Sequence, residues 1–316
     1  MNPSFALMIP ALNGGALLEQ TLRSCLTAGF DPQQVAVVVC DNGSNDGSYE
    51  AAVALAEGSR GLLTVRRNEE NLGRVGNWNR CLEVAERTGA RFGSYLMVGD
   101  EWLPGADAMA IVAAMEESRA SLTLARYHVV DSAGRLRRIG RNFIRNERRT
   151  VPAQDFIRRA IGEGALCFGP LQANVYRLDG RRRLRFDPDD PIHTDQRATL
   201  AYLGQDSEVL LLWDRSYCAW KAHAGRFHMG MDVSQRIQGD RSMIRSVAAE
   251  RGFAIDDRRI NANLFLLAAR EWIGRPHWLA KIRDAARSIQ ASPGGLDWGL
   301  VVRQLFRRIV FRRFLA

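Results

Sequence analysis

Residues Val35–Cys40 read VAVVVC, a run with no side chain suited to water, and the next eight residues are DNGSNDGS. A strand this apolar must be covered on both faces, which α/β proteins achieve by flanking a parallel sheet with helices. Further short apolar runs occur at Phe5–Ile9, Leu62–Val65 and Tyr95–Val98. Between them, Leu17, Leu18, Leu22, Cys25 and Leu26 recur at helical spacing, and Tyr49–Glu57 and Trp78–Arg87 also read as helices. Alternation of strand and helix at this spacing predicts a doubly wound α/β sheet, mostly parallel, with Pro10 expected to stop the first strand. Beyond Ala106 the rhythm changes. Strands are expected at Leu122–Val130, Gln172–Tyr176, Val209–Trp213 and Tyr217–Trp220, with short helices at Asp155–Ile161 and Asp195–Tyr202. The basic stretch Arg135–Arg149 reads as an exposed loop or hairpin, and from Val233 onward the chain reads as helices only.

The chemistry gathers where strands end. In open α/β sheets, ligands bind outside the carboxyl ends of the strands. The first strand end supplies Pro10 and Asn13; the second supplies Asp41, Asn42, Ser44 and Asp46. The fourth runs into Asp100 and Glu101, and the segment Asn71–Asn79 adds Arg74, Asn77 and Asn79. These loops are expected to converge on one cleft. A carboxylate such as Asp41 can accept from a base imide or a ribose hydroxyl, and Arg74 can pair with a phosphate. Adjacent acids such as Asp100 and Glu101 can hold a hard divalent cation, which commonly completes its shell with phosphate oxygens. Together these parts describe a site for a nucleoside diphosphate and its metal. Asp41 and Asp46 also suit a turn, Asp46 being placed to cap the helix that follows. A dinucleotide fold would need G-x-G-x-x-G after the first strand, where this chain has IPALNGG.

As a set, Asp41–Ser48, Asn71-x-Gly73-Arg74-x-x-Asn77-x-Asn79 and Gly99–Pro104 resemble the nucleotide-sugar half of family 2 inverting glycosyltransferases. The resemblance implies the A-type glycosyltransferase fold, a nucleoside diphosphate sugar donor, a saccharide or lipid-linked hydroxyl acceptor, and Mg2+ or Mn2+ as cofactor. It places the nucleotide-sugar contacts at Pro10, Asn13, Asp41, Asn42, Ser44, Asp46, Arg74, Asn77, Asn79 and Asp100. Phe168–Ala173 is similar to the family's glycine-proline segment before the acceptor-side strand. His193-Thr194-Asp195-Gln196 resembles the start of its catalytic helix, which makes Asp195 the base. Its rivals, Asp187, Asp189 and Asp190, lie in a Pro-punctuated loop, and helix capping is the alternative role of Asp195 itself. Ala219–His223 resembles a late basic-x-His element, which makes His223 a third metal ligand beside Asp100 and Glu101, or a phosphate contact. The chain departs from many members in offering only two acids after Val98 and Gly99. The reading divides the chain into a transferase domain, 1–228, with a nucleotide-binding half 1–105 and an acceptor half 106–228, and a helical extension, 229–316.

Composition narrows the alternatives. The chain has 316 residues and a formal net charge of +9, almost all of its cationic side chains being Arg. Such a balance attracts phosphates. No RNP aromatics, zinc spacing or basic zipper occurs, so a nucleic-acid binder is not expected. Five cysteines without a CxxC, no basic leader and no run of about 18 apolar residues point to a cytoplasmic chain with free thiols. The stretch 298–316, WGLVVRQLFRRIVFRRFLA, places Trp298, Val301, Val302, Leu305, Phe306 and Ile309 on one helical face and Arg303 and Arg307 opposite. It is read either as a terminal helix docked on its domain or as a helix lying on a membrane surface, which would make the protein peripheral at the inner face of the cytoplasmic membrane. A transferase that has lost turnover but still holds nucleotide sugar is the alternative function.

Overall fold

The computed structural model describes residues 2–140, 149–162, 170–180, 182–190, 193–221, 232–272 and 277–313. The chain divides into two compact units, one formed by 1–154 with 167–224, the other by 155–166 with 225–316.

The first unit is α/β. Strand β1 (Phe5–Ala11) pairs in parallel with β2 (Val35–Asp41), and β2 with β3 (Leu63–Arg67). On its other side β1 pairs in parallel with β4 (Phe92–Tyr95). Helices α1 (Gly15–Leu26), α2 (Ser48–Glu57) and α3 (Gly73–Arg87) connect these strands. Phe5–Ile9 and Val37–Cys40 are wholly buried, as an all-apolar strand requires. Phe5, Leu7 and Ile9 join Leu18, Leu22 and Cys25 of α1 in one core, and α3 packs against β1 and β2. β1 runs on through Pro10, which pairs with Cys40.

Beyond β4 the sheet is mixed. Its full order is β3-β2-β1-β4-β9-β6-β10-β5, with β5 (Glu101–Trp102), β6 (Leu122–Val130), β9 (Asn174–Arg177) and β10 (Glu208–Lys221). β9 is antiparallel to both β4 and β6, whereas β6 and β10 are parallel. Parallel pairing is thus concentrated in the first 95 residues. β7 (Leu136–Gly140) turns back on β6, and β8 (Thr150–Pro152) pairs with β10. The two late strands expected at 209–220 are one strand, because the register shifts around Ser216 keep β10 on β6 through the polar interruption. Helix α4 (Ala108–Ser118), capped by Asp107, has no counterpart in the sequence reading. Helix α6 (Thr194–Tyr202) completes this unit.

Helix α5 (Ala153–Gly162) runs into the second unit, which is otherwise built from α7 (Val233–Arg251), α8 (Asp257–Trp272), α9 (Trp278–Gln290) and α10 (Trp298–Arg313). Asp232 caps α7 through Ser234 and Gln235 N–H, and Gly252, at φ 66°, ends it. Asp257 takes both Arg241 (3.1 Å) and Arg245 (2.8 Å), and Asn261 Nδ2 donates to Pro293 O and Gly295 O. No helix among the described residues is long and apolar enough to cross a membrane.

Candidate active site

The polar turn after β2 is built by its own first residue. Asp41 is buried, and its Oδ2 accepts from the N–H groups of Gly43 (3.2 Å) and Ser44 (3.1 Å). Gly43, at φ 84°, supplies the left-handed step that this turn needs. Arg67 Nε stands 3.5 Å from the same oxygen. The other oxygen, Oδ1, is buried with no hydrogen-bond partner among the described residues. An unmet carboxylate oxygen costs stability, and a ligand N–H or O–H would satisfy it.

The loops after β1 and β2 are stitched together. Asn13 N donates to Ser44 Oγ (2.8 Å), Asn45 N to Asn13 Oδ1 (2.9 Å) and Gly15 N to Ser48 Oγ (2.8 Å). At Gly14 a Cβ would come within 2.9 Å of Leu18 Cβ and 3.0 Å of Val98 Cγ1, so only glycine lets the loop lie this close. Asp46 does not cap α2. Gly47, at φ 85°, holds the cap position, while Asp46 Oδ1 accepts from Ser48 N. The bonds from Ser48 hold the Asp46 carboxyl below its usual range.

The amides form a buried lattice. Asn42 Nδ2 donates to Asn71 Oδ1 (2.8 Å) and its Oδ1 accepts from Asn68 Nδ2 and Leu72 N (both 2.9 Å). Asn68 Nδ2 also donates to Asn77 Oδ1, and Asn77 Nδ2 reaches Cys40 O (2.9 Å) at the end of β2. Helix α3 begins at Gly73, a full turn ahead of the expected Trp78, so Arg74, Asn77 and Asn79 are helical residues. Asn42 and Asn77 therefore brace the cleft, their amide groups being engaged within the chain. Asn68 was not singled out from the sequence, and its only signal there is the density of amides between 68 and 79.

Asn79 places the far side of the site. It holds the backbone of Phe186 at both ends, Nδ2 to Phe186 O (2.8 Å) and Phe186 N to Oδ1 (2.9 Å). The Phe186 ring meets Trp78 and Tyr95 edge-on at 5.4 and 5.6 Å. This clasp brings the segment leading to α6 over α3, where Arg74 lies on the Trp78 ring at 4.7 Å. Arg74 feels the charges of both Asp195 and Asp190, which oppose the depression of its guanidinium pKa by burial.

Asp190 and Asp195 differ sharply. Burial works against ionising Asp190, but the His193 N–H (3.0 Å) and the Arg197 guanidinium (2.9 Å) outweigh it and hold its carboxyl below the usual range. Asp195, in the first turn of α6, is raised instead: burial dominates, and neither the Gln196 N–H (2.9 Å) nor Arg74 restores it. A carboxyl held above its ordinary value, and partly open to solvent, suits proton transfer. Asp187 accepts from Asp189 N in the turn ahead of it. The cap of α6 is His193, not Asp195.

Asp100 and Glu101 lie differently from expectation. β4 ends at Tyr95, so Asp100 follows a short turn and precedes β5 rather than closing a strand. Asp100 is fully buried. Its Oδ1 accepts from Lys221 N (2.9 Å) and its Oδ2 from Gln172 Nε2. Glu101 Oε1 is 3.7 Å from Lys221 Nζ, which also donates to Gln20 Oε1 (3.1 Å). With Asp100 fully buried and Glu101 beside the Lys221 ammonium, the pair is not open to a divalent cation as arranged. Among the described residues no three His, Cys, Asp or Glu side chains are grouped to hold a metal. His223 lies outside the described residues.

Known proteins share this architecture. S. aureus TarS 1-349 in complex with UDP-GlcNAc matches with a TM-score of 0.57 at 16% identity, covering 92% of this chain and 82% of that one. The mannosyltransferase PcManGT from Pyrobaculum calidifontis, in complex with GDP-Man and Mn2+, matches with a TM-score of 0.55 at 15% identity, covering 98% and 81%. At such identities the likeness is one of fold. An uncharacterized protein of Mycobacterium tuberculosis is 39% identical over 104 residues, 33% of this chain and 30% of its own length, so the shared part is under a third of that relative. The profile of glycosyl transferase family 2 matches residues 6–173, which hold the strand ends, the amide lattice and Arg74. On that match, over more than half of its length, the chain belongs to glycosyl transferase family 2.

Proposed function

We propose that the protein transfers a sugar from a nucleoside diphosphate sugar to a hydroxyl acceptor with inversion at the anomeric carbon, in surface polysaccharide or glycolipid synthesis. The observation that carries this reading is the Asn79–Phe186 clasp, which sets the α6 segment over α3 so that Arg74 feels the charge of Asp195, with Asp195 raised and its rival Asp190 lowered. Asp41 Oδ1 accepts from the base or ribose of the donor, satisfying its unmet hydrogen bond. Arg74 faces the diphosphate, where a guanidinium pairs well with phosphate oxygens. Asp195 takes the acceptor's hydroxyl proton as its oxygen attacks the anomeric carbon. The bond from that carbon to the diphosphate breaks, its electron pair leaving with the nucleotide. A single displacement inverts the configuration. Asp100 stays bonded to Gln172 and Lys221 N, and Glu101 stays beside the Lys221 ammonium.

A second reading, nucleotide-sugar binding without turnover, is favoured by the engagement of both expected acidic metal ligands. One experiment separates the two. Nucleotide release is measured with each common nucleotide sugar, with and without manganese or magnesium, alongside donor binding by calorimetry. Binding with release supports transfer; binding without release under any condition supports the second reading; neither overturns both.

A further inference from the structure

The two units differ in charge. Residues 1–224 hold 27 Lys and Arg against 27 Asp and Glu, whereas residues 225–316 hold 17 against 8. The whole net charge of the chain thus belongs to its C-terminal stretch. In the same stretch α10 turns an apolar stripe outward. Val301 is buried and Trp298 rests edge-on against Phe265 at 5.3 Å, but Val302 is 62% and Phe306 66% exposed, with Leu305 beside them. The face expected to be continuous is therefore split: Val301 is buried, whereas Trp298, Val302, Leu305 and Phe306 are exposed. Arg303, expected on the opposite side, lines the same groove as Val302 and Phe306.

That groove, of about 550 Å³, is lined by Arg259, Leu300, Val302, Arg303, Gln304 and Phe306. Arg241 and Arg245 of this unit are neutralised by Asp257. By contrast, Arg259 Nε is buried with no hydrogen-bond partner among the described residues. A buried guanidinium N–H without an acceptor is costly. An apolar trough lined by two arginines, Arg259 and Arg303, matches an amphiphile with an anionic head. Interfacial helices bind membranes through this pairing of apolar side chains with arginines.

We infer that the face formed by α8 and α10 docks on an anionic lipid surface, lipid phosphates meeting Arg259 and Arg303 and acyl chains meeting Val302 and Phe306. This goes beyond the transfer reaction and does not rest on it. The test is flotation of the full chain with vesicles of phosphatidylglycerol and phosphatidylcholine, and with phosphatidylcholine alone. The full chain should float with the anionic vesicles at low salt and release as salt rises. In Arg259→Gln and Arg303→Gln the partition coefficient should fall roughly fivefold for each guanidinium removed, and in Val302→Ser/Phe306→Ser binding should be lost. Thermal melting of each variant checks the fold; Val302, Arg303 and Phe306 are exposed, so the Arg303 and double-serine variants keep the test sound even where Arg259→Gln melts early. Absence of flotation at low salt, flotation unchanged by the substitutions, or equal binding to uncharged vesicles would overturn the inference. So would a dimer in solution that the Val302→Ser/Phe306→Ser variant dissolves without any vesicle binding.

Discussion

The loops closing β1 and β2 and the segment from Asp187 to Arg197 both gather acids, yet they use them differently. In the first, nearly every polar side chain is bound to the chain itself. Asn13, Asn42, Ser44 and Asn77 satisfy backbone or one another; among the described residues Asp41 Oδ1 and, deeper in the amide lattice, Asn68 Oδ1 are left as unmet acceptors. In the second, two carboxylates five residues apart are driven in opposite directions, Asp190 down and Asp195 up. A cluster of polar residues at a strand end is therefore first a scaffold. The chemistry lies in the few groups the scaffold leaves unsatisfied or perturbed.

Substitutions sharpen that contrast. The largest effect is expected at Asp195. Asp195→Asn should lower kcat by about 10²–10⁴-fold, the usual worth of a general base, with the donor Kd unchanged by calorimetry. Asp41→Asn should weaken donor binding by about 1.5–3 kcal/mol, as for a hydrogen bond to a charged group, with the melting temperature as control for the turn it also holds. Asn77→Ala should act on stability instead. It strips a partner from Cys40 O and from Asn68, and about 1–3 kcal/mol per unmet group is expected in denaturant unfolding. If Asn77→Ala leaves the midpoint unchanged while abolishing donor binding, the lattice is a ligand site and the contrast fails.

Smaller effects follow from the two carboxyls. Folding raises Asp195, so the native chain holds that proton more tightly than the unfolded one. Its contribution to stability falls as pH rises from the ordinary carboxylate value through the folded one. Asp190 does the reverse: its contribution is present above the ordinary value and is lost as pH falls through the depressed one. Asp195→Asn should thus raise the melting temperature at neutral pH, and Asp190→Asn lower it. The smallest change is expected from metal. With Asp100 sealed by Gln172 and Lys221 N, chelator or added manganese should leave nucleotide release nearly level. A large gain with manganese would show that these carboxylates rearrange.

The parallel half of the fold was legible in the sequence because its strands are all-apolar and its turns densely polar. Val35–Asp41 falls almost where its composition puts it, as does Leu122–Val130 in the mixed half. Boundaries drifted where tertiary bonds override local pattern. α3 starts early because Asn77 is drawn to the Cys40 carbonyl at the end of β2, and β4 ends early because Leu96 leaves the ladder after one bond to Met8 O. β10 reads as two strands since residues 214–216, Asp-Arg-Ser, break the apolar run without breaking the pairing. Of the candidate site, motif order singles out Asp41, Arg74 and Asp195, to which the proposed function gives roles. Nothing local could show that Asn79 clasps Phe186, or that Lys221 lies against Glu101, since each pair is more than a hundred residues apart.

Asp195, raised by burial within the field of Arg74, is the group proposed to take the acceptor proton. The pH dependence of kcat, measured with a donor that the chain turns over, tests it most directly. The rate is expected to climb with pH through one ionisation above the ordinary carboxylate value, with a low profile lacking that ionisation in Asp195→Asn. A wild-type profile whose ionisation persists unchanged in Asp195→Asn, at undiminished rate, would contradict it.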